Sequence, residues 1–122
     1  DIKEYLQRHK VQFTELTNPK GGLEEVLKGI TVDVVYMTQL VKEHFADRYD
    51  DYEKTLKKYK IGPRALKRMK RPSLVMHPLP RTDELPDEVD SDRRAVYLRQ
   101  TGYGLQLRMA ILCTVLNSYP AF

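Results

Sequence analysis

The stretch Ser-Leu-Val-Met-His-Pro-Leu-Pro-Arg, residues 73–81, decides how this chain is expected to fold. Residues 73–76 form an apolar run with the composition of a strand. The run ends abruptly because Pro78 and Pro80 fix the backbone angle φ and lack the amide hydrogen that a strand ladder needs. In parallel sheets, ligands bind beside the carboxyl ends of the strands. From these residues alone, the sequence favours a proline-rich turn that ends the strand, and a ligand site in this loop is the alternative.

Three further segments have strand-like composition. Residues 31–37 are β-branched and apolar, which is typical of a parallel strand covered on both faces. Residues 11–16 alternate in polarity, and residues 59–61 form a shorter candidate. Strands separated by helices predict an α/β layer with a mainly parallel sheet of about four strands. Helical patterns cover residues 2–9, 23–28, 52–57 and 63–69, and the longest one ends at residue 116.

Charge is distributed unevenly along the chain, which carries a formal net charge of +4. A basic block without any acid can bind phosphate groups or nucleic acid through counterion release. A solvated helix face that keeps the protein soluble is the favoured interpretation of this block. We call this block the basic surface; its members are Lys54, Lys57, Lys58, Lys60, Arg64, Lys67, Arg68, Lys70 and Arg71.

Size and composition exclude several classes of protein. At 122 residues, with 41% hydrophobic and 31% charged residues, the chain has the balance of one globular domain. Its longest apolar stretches are too short for a membrane span. Cys113 is the only cysteine, which excludes an internal disulfide and suits a reducing intracellular compartment, cytoplasm or organelle. His9, His44 and His77 lack metal-ligand spacing, so we expect no metal site.

Several motifs follow one another along the chain. They are Asp33-Val34-Val35-Tyr36-Met37-Thr38 with Lys42-Glu43 and Phe45, Val75-Met76-His77-Pro78-Leu79-Pro80-Arg81, Asp83-Glu84-Leu85, Glu88-Val89-Asp90, Ala95-Val96-Tyr97-Leu98-Arg99-Gln100, Gly104 and Arg108-Met109-Ala110. In order and spacing they resemble the aspartate transcarbamoylase family. The resemblance implies a Rossmann-like three-layer αβα fold with a long C-terminal helix. It also implies that residues 1–122 are an incomplete aspartate-binding half, without the carbamoyl-phosphate domain.

The resemblance implies roles for individual residues. The family transfers a carbamoyl group from carbamoyl phosphate to aspartate and uses no cofactor. The carbonyls of Pro78 and Leu79 are then expected to hold the carbamoyl NH₂ group. His77 and Arg81 are expected to flank the ligand with a donor and a permanent charge. Lys42 belongs to a loop that closes over the aspartate side.

Two positions in that closing loop depart from the family pattern. Gln39 stands where the family has an arginine that pairs with a substrate carboxylate, and Val41 stands where it has a glutamine. Replacing a charge-assisted contact with a neutral amide forfeits roughly 1.5–3 kcal/mol of binding. The family's phosphate-binding loop is also absent from this sequence, so we expect no catalysis from this chain alone.

These observations lead to three functional hypotheses. The main one is a degenerate, non-catalytic relative that acts as a structural or interaction subunit of a larger assembly. The alternative is a fragment of a working carbamoyltransferase that acts on carbamoyl phosphate and aspartate or a related amino acid, in pyrimidine biosynthesis. The third is a module that contacts RNA through the basic surface. The first two imply a protein partner or a missing N-terminal half, and by resemblance a trimer-like assembly.

Overall fold

The computed structural model describes residues 1–70 and 72–118. Short 3-10 helices lie at Lys42–Phe45 and Asp87–Val89. The helices and strands of the described part are α1 (Ile2–Arg8), α2 (Gly22–Gly29), β1 (Val34–Tyr36), α3 (Tyr49–Tyr59), α4 (Pro63–Arg68), β2 (Leu74–Met76) and α5 (Tyr97–Val115).

The two strands pair in parallel, and this confirms the predicted α/β class. Val35 lies opposite Val75 in the register. Val75 also forms an isolated parallel bridge with Ala95, just before α5 begins. The chain leaves β1, passes through α3 and α4, and returns as β2, as a parallel connection requires.

The predicted number of strands is wrong for the described residues, where the sheet has two strands instead of about four. Residues 11–16 form no strand, and Val11 and Phe13 are exposed, because no described strand lies beside them to complete a ladder. Residues 59–61 form none either. Helix α3 continues through Tyr59, and Ile61 donates its amide hydrogen to the Glu84 carbonyl in a single 2.8 Å contact.

The hydrophobic core lies on one face of the sheet. Side chains alternate between the faces of a strand, and Val75 points into a buried cluster supplied by α2, α4 and the segment before α5. The residues on the opposite face, Val34, Tyr36 and Leu74, are exposed. The described part of the chain therefore has one helical layer on one face of the sheet, as an incomplete three-layer domain would.

Helix α2 packs unusually close to the end of α3. Gly21 and Gly22 both have a left-handed backbone, with φ of 78° and 70°. A Cβ atom on Gly22 would lie 2.4 Å from the Lys58 carbonyl oxygen. Glycine at this position therefore allows both the turn into α2 and the close approach of α3.

Helix α5 projects from the body of the protein. Its first residue, Tyr97, is fully buried, whereas Leu105, Met109 and Leu112 each expose more than half of their surface. The predicted long helix is thus confirmed, but its apolar stripe packs against no core within the described residues. No helix in residues 1–70 and 72–118 has the length and apolar character needed to cross a membrane.

Candidate functional site

Two loops meet where the parallel strands end. The first loop, residues 37–48, follows β1, and the second loop, residues 77–82, follows β2. Their starts are joined by a 2.9 Å hydrogen bond from the Met37 amide to the Met76 carbonyl. The sequence predicts a site at this edge of the sheet, and the structure brings both loops there.

A buried carboxylate joins the two loops. Glu84 is fully buried. Its Oε1 accepts hydrogen bonds from the Thr82 amide at 2.8 Å and from the ring of His77 at 3.1 Å. Its Oε2 accepts from the Thr82 hydroxyl and from the Leu40 amide, at 3.4 Å for the latter. Burial alone would raise the pKa of Glu84, but the hydrogen bonds from Thr82 and Leu40 outweigh it and hold that pKa below its ordinary value.

His77 supports the second loop from inside the protein. The Leu79 amide donates to its Nδ1 at 2.9 Å, so Nδ1 carries no proton. The proton of the neutral ring therefore lies on Nε2, which donates to Glu84. The sequence predicts a donor toward a ligand at this position, but in the structure both ring nitrogens are engaged within the protein.

The second loop contains a left-handed turn at Leu79, whose φ is 55°. Branched residues rarely adopt this conformation, so it persists only where neighbouring contacts enforce it. The contact to His77 does so here. Among the described residues, the carbonyls of Pro78 and Leu79 accept no hydrogen bond, so both are available to a donor from outside.

Arg81 is held by acidic residues of the segment that follows. Its guanidinium donates to both carboxylate oxygens of Asp90, to Asp87 at 2.7 Å and to the Tyr97 hydroxyl at 3.0 Å. The hydrogen bond from Arg81 and that from Tyr97 lower the pKa of Asp90. Burial, and then the bond to Asp90, raise the pKa of Tyr97. The sequence predicts a free charge beside a ligand, whereas here the charge is balanced within the fold.

The first loop carries Gln39 and Val41, the two positions that the resemblance predicts to be altered. Gln39 is exposed and Val41 is half-buried. The Lys42 ammonium lies 4.6 Å from the centre of the Tyr49 ring and 5.9 Å from that of Tyr52, within the range of cation–π attraction. Lys42 is therefore an exposed cation steadied by two aromatic rings.

The basic surface lies on α3, α4 and their flanks, away from both loops in sequence. All of its described members are exposed. Lys58 donates to the Asn18 side chain at 2.7 Å. Arg71, the last predicted member, lies outside the described residues. Within those residues, no three His, Cys, Asp or Glu side chains come together as a metal site requires.

Sequence reasoning missed the residues that join the loops. Glu84 was indistinguishable from the solvated acids around it, since only folding brings it to His77 and Leu40. Gln100 was also missed: its side-chain oxygen accepts from the His77 amide at 3.2 Å, and its nitrogen donates to the Tyr36 hydroxyl at 3.0 Å. Both residues lie within the motifs that carry the family resemblance, but a motif does not show which of its side chains join the loops, and an acid two residues after a threonine is common in turns.

Comparison with known proteins settles which family contains this arrangement. A family model described as "Aspartate/ornithine carbamoyltransferase, Asp/Orn binding domain" matches residues 2–115. The chain belongs to this family. The resemblance stated from the motifs is therefore confirmed.

Aspartate carbamoyltransferases from distant organisms are similar to this chain. The chloroplastic enzyme 2 of Pisum sativum is 45% identical over 112 residues, which are 92% of this chain and 28% of the relative. The catalytic subunit of Methanocella arvoryzae is 41% identical over 95% of this chain and 35% of the relative. The chain thus spans about a third or less of the length of these relatives.

Solved structures of this family share the fold. The catalytic subunit of M. jannaschii aspartate transcarbamoylase superposes with a TM-score of 0.73 at 35% identity, over 95% of this chain and 36% of that one. The Trypanosoma cruzi enzyme in complex with carbamoyl aspartate and phosphate superposes with a TM-score of 0.72 at 36% identity, over 91% of this chain and 34% of that one. The chain is therefore an aspartate-carbamoyltransferase-like fragment.

Proposed function

We propose that residues 1–122 are the amino-acid-binding part of a working carbamoyltransferase. The observation that carries this proposal is the left-handed turn at Leu79, where the carbonyls of Pro78 and Leu79 accept no hydrogen bond from any described residue. Two neighbouring carbonyl oxygens can accept hydrogen bonds from an NH₂ group such as that of a carbamoyl. The family membership and the carbamoyl aspartate bound by the similar T. cruzi enzyme support the same reaction.

In this reaction, each of the two loops would bind one of the two substrates. The amine of an amino acid attacks the carbamoyl carbon of carbamoyl phosphate and forms the new C–N bond. The C–O bond to phosphate breaks, and the phosphate leaves with the bonding electron pair and takes up the proton that the amine loses. The second loop would hold the carbamoyl group, and the first loop would cover the amino acid. Such a reaction proceeds by positioning and charge stabilisation rather than by covalent catalysis.

The partner of this part would be a carbamoyl-phosphate-binding half, and an assembly of several copies would follow the family pattern. Relatives extend far beyond the matched region, which supports a further half. The apolar stripe on α5, which is exposed to solvent, supports a protein partner as well.

The acceptor would be aspartate bound more weakly than in the family, or a related amino acid. Gln39 supports this because a neutral amide binds a carboxylate with roughly 1.5–3 kcal/mol less than a paired arginine does. Lys42 remains as a cation in the same loop. A non-catalytic scaffold is the second candidate, and the same two altered positions favour it.

Calorimetric titration of the natural full-length protein with N-(phosphonacetyl)-L-aspartic acid tests the proposal. Binding that His77→Ala weakens about tenfold would support carbamoyl transfer, and the absence of binding at high ligand concentration would favour the non-catalytic scaffold. Gln39→Arg should then tighten binding about 10- to 100-fold by restoring a charge pair. His44→Arg, which adds the same charge at an exposed position of the same loop, is the matched control and should change affinity far less.

A further inference from the structure

Glu84 contacts both loops of the site through hydrogen bonds that leave no spare acceptor. Each carboxylate oxygen accepts from two donors, which is the capacity of a carboxylate. Two of the four donors are backbone amides, which always need an acceptor when buried. The first loop is attached at Leu40, and the second at Thr82 and His77.

The attachment reaches Leu79 through His77. Because Nε2 of His77 donates to Glu84, Nδ1 is left as the acceptor for the Leu79 amide. A carboxylate at position 84 therefore fixes the tautomer of the ring, and the ring fixes the left-handed turn. The carbonyls that would face the carbamoyl group follow that turn.

We propose that Glu84 is a positioning residue that holds the acceptor-binding first loop and the carbamoyl-binding second loop in register with one another. The inference rests on the proposed function for the assignment of the loops to substrates. The hydrogen-bond network itself does not depend on that assignment.

Glutamine at position 84 should affect the attachment of the first loop and that of the second loop differently. It offers one oxygen and one NH₂ group. If the NH₂ group replaces Oε2, the Thr82 hydroxyl turns to accept from it and only the Leu40 amide loses its acceptor. If it replaces Oε1, the Thr82 amide and the Leu79 attachment are both lost, because the ring must change tautomer. The first orientation loses fewer hydrogen bonds, so Glu84→Gln should release the first loop and keep the second.

Changes at His77 should have the opposite effect. His77→Ala removes the acceptor of the Leu79 amide while Glu84 keeps its contact to Leu40. His77→Asn should restore the turn, because an asparagine oxygen accepts from the amide two residues later in a common local motif. Glu88→Gln is the matched control for the glutamate change, since Glu88 is an exposed carboxylate of the same acidic segment.

Amide hydrogen exchange and steady-state kinetics of the natural full-length protein test this inference. In Glu84→Gln, exchange at Leu40 and the KM for the amino acid should each rise about tenfold, while exchange at Leu79 and the KM for carbamoyl phosphate stay within about twofold. His77→Ala should raise exchange at Leu79 and the KM for carbamoyl phosphate about tenfold, while exchange at Leu40 and the KM for the amino acid stay within about twofold. His77→Asn should return the KM for carbamoyl phosphate to the wild-type value. Glu88→Gln should leave all four values unchanged.

Equal changes at both loops in Glu84→Gln, as a general loss of stability would produce, overturn the inference. So does the absence of any change at Leu40. If the exchange pattern appears but the wild-type protein transfers no carbamoyl group, the proposed function fails while the coupling of the two loops through Glu84 stands.

Discussion

Replacing Asp90 by asparagine tests whether Arg81 is held within the fold rather than free for a ligand. Asp90 accepts hydrogen bonds from two nitrogens of Arg81 and from the Tyr97 hydroxyl. Asp87 accepts one hydrogen bond from the same guanidinium. Asp87→Asn is therefore a matched control that removes the same charge beside the same arginine.

The exposure of the two carboxylates sets the expected magnitudes. The side chain of Asp90 is 33% exposed and that of Asp87 is 94% exposed. Hydrogen bonds to charged groups contribute about 1.5–3 kcal/mol each when shielded, and exposed ion pairs contribute about 0–1 kcal/mol. After allowance for partial exposure, and since asparagine still accepts one bond, Asp90→Asn should lower the free energy of unfolding by about 1–2 kcal/mol. Asp87→Asn should lower it by less than about 0.5 kcal/mol.

Urea unfolding followed by circular dichroism at a fixed protein concentration measures both differences. The pKa of Asp90 lies below its ordinary value of 3.8, so the carboxylate stabilises the fold above that pH and loses this effect as the pH falls through its lowered pKa. The gap between wild type and Asp90→Asn should therefore be full at neutral pH and shrink below about pH 4. Equal losses for the two variants at neutral pH would refute the structural assignment of Arg81.

Three further outcomes follow from packing. Leu85→Ala should lower the free energy of unfolding by about 2–5 kcal/mol in the same assay because Leu85 is 0% exposed. Leu107→Ala, at 63% exposure on α5, should lower it by less than about 0.5 kcal/mol. Similar losses for the two variants would contradict the assigned core. Gly22→Ala should cost more than about 1 kcal/mol because its Cβ meets a backbone carbonyl at positive φ, while Gly29→Ala, with open space, should be neutral or stabilising. Sedimentation of the 122-residue chain should show association that increases with concentration, since α5 leaves its apolar stripe exposed, and a monomer at all concentrations would argue against this.

Local signals in the sequence predicted helix ends well. Pro63 opens α4 as its fixed φ favours, and α2 ends at Gly29. The strand at residues 74–76 was also predicted, since its apolar run and the following prolines are both local features. Helix α3 was predicted too short, as residues 52–57. Tyr52 and Leu56 are its buried residues, and the exposed ends extend from this packed centre because each added residue contributes one further backbone hydrogen bond.

Features that depend on distant residues escaped prediction. A strand needs a partner as well as a suitable composition, and residues 11–16 have no partner in the described part of the chain. The meeting of the two loops was predictable from the rule for parallel strands. The internal engagement of His77 and Arg81 was not, because it depends on Glu84 and Asp90, which fold back from farther along the chain.

The attachment of the first loop through a backbone amide has a consequence for how such a site diverges. The Leu40 amide would be present with any residue except proline at position 40, and the neighbouring side chains take no part in the contact. The side chains of Gln39 and Val41 can therefore change without releasing the loop from Glu84. The contact that fixes the first loop lies in backbone atoms, so the side chains of the loop can diverge while its attachment to the rest of the fold is kept.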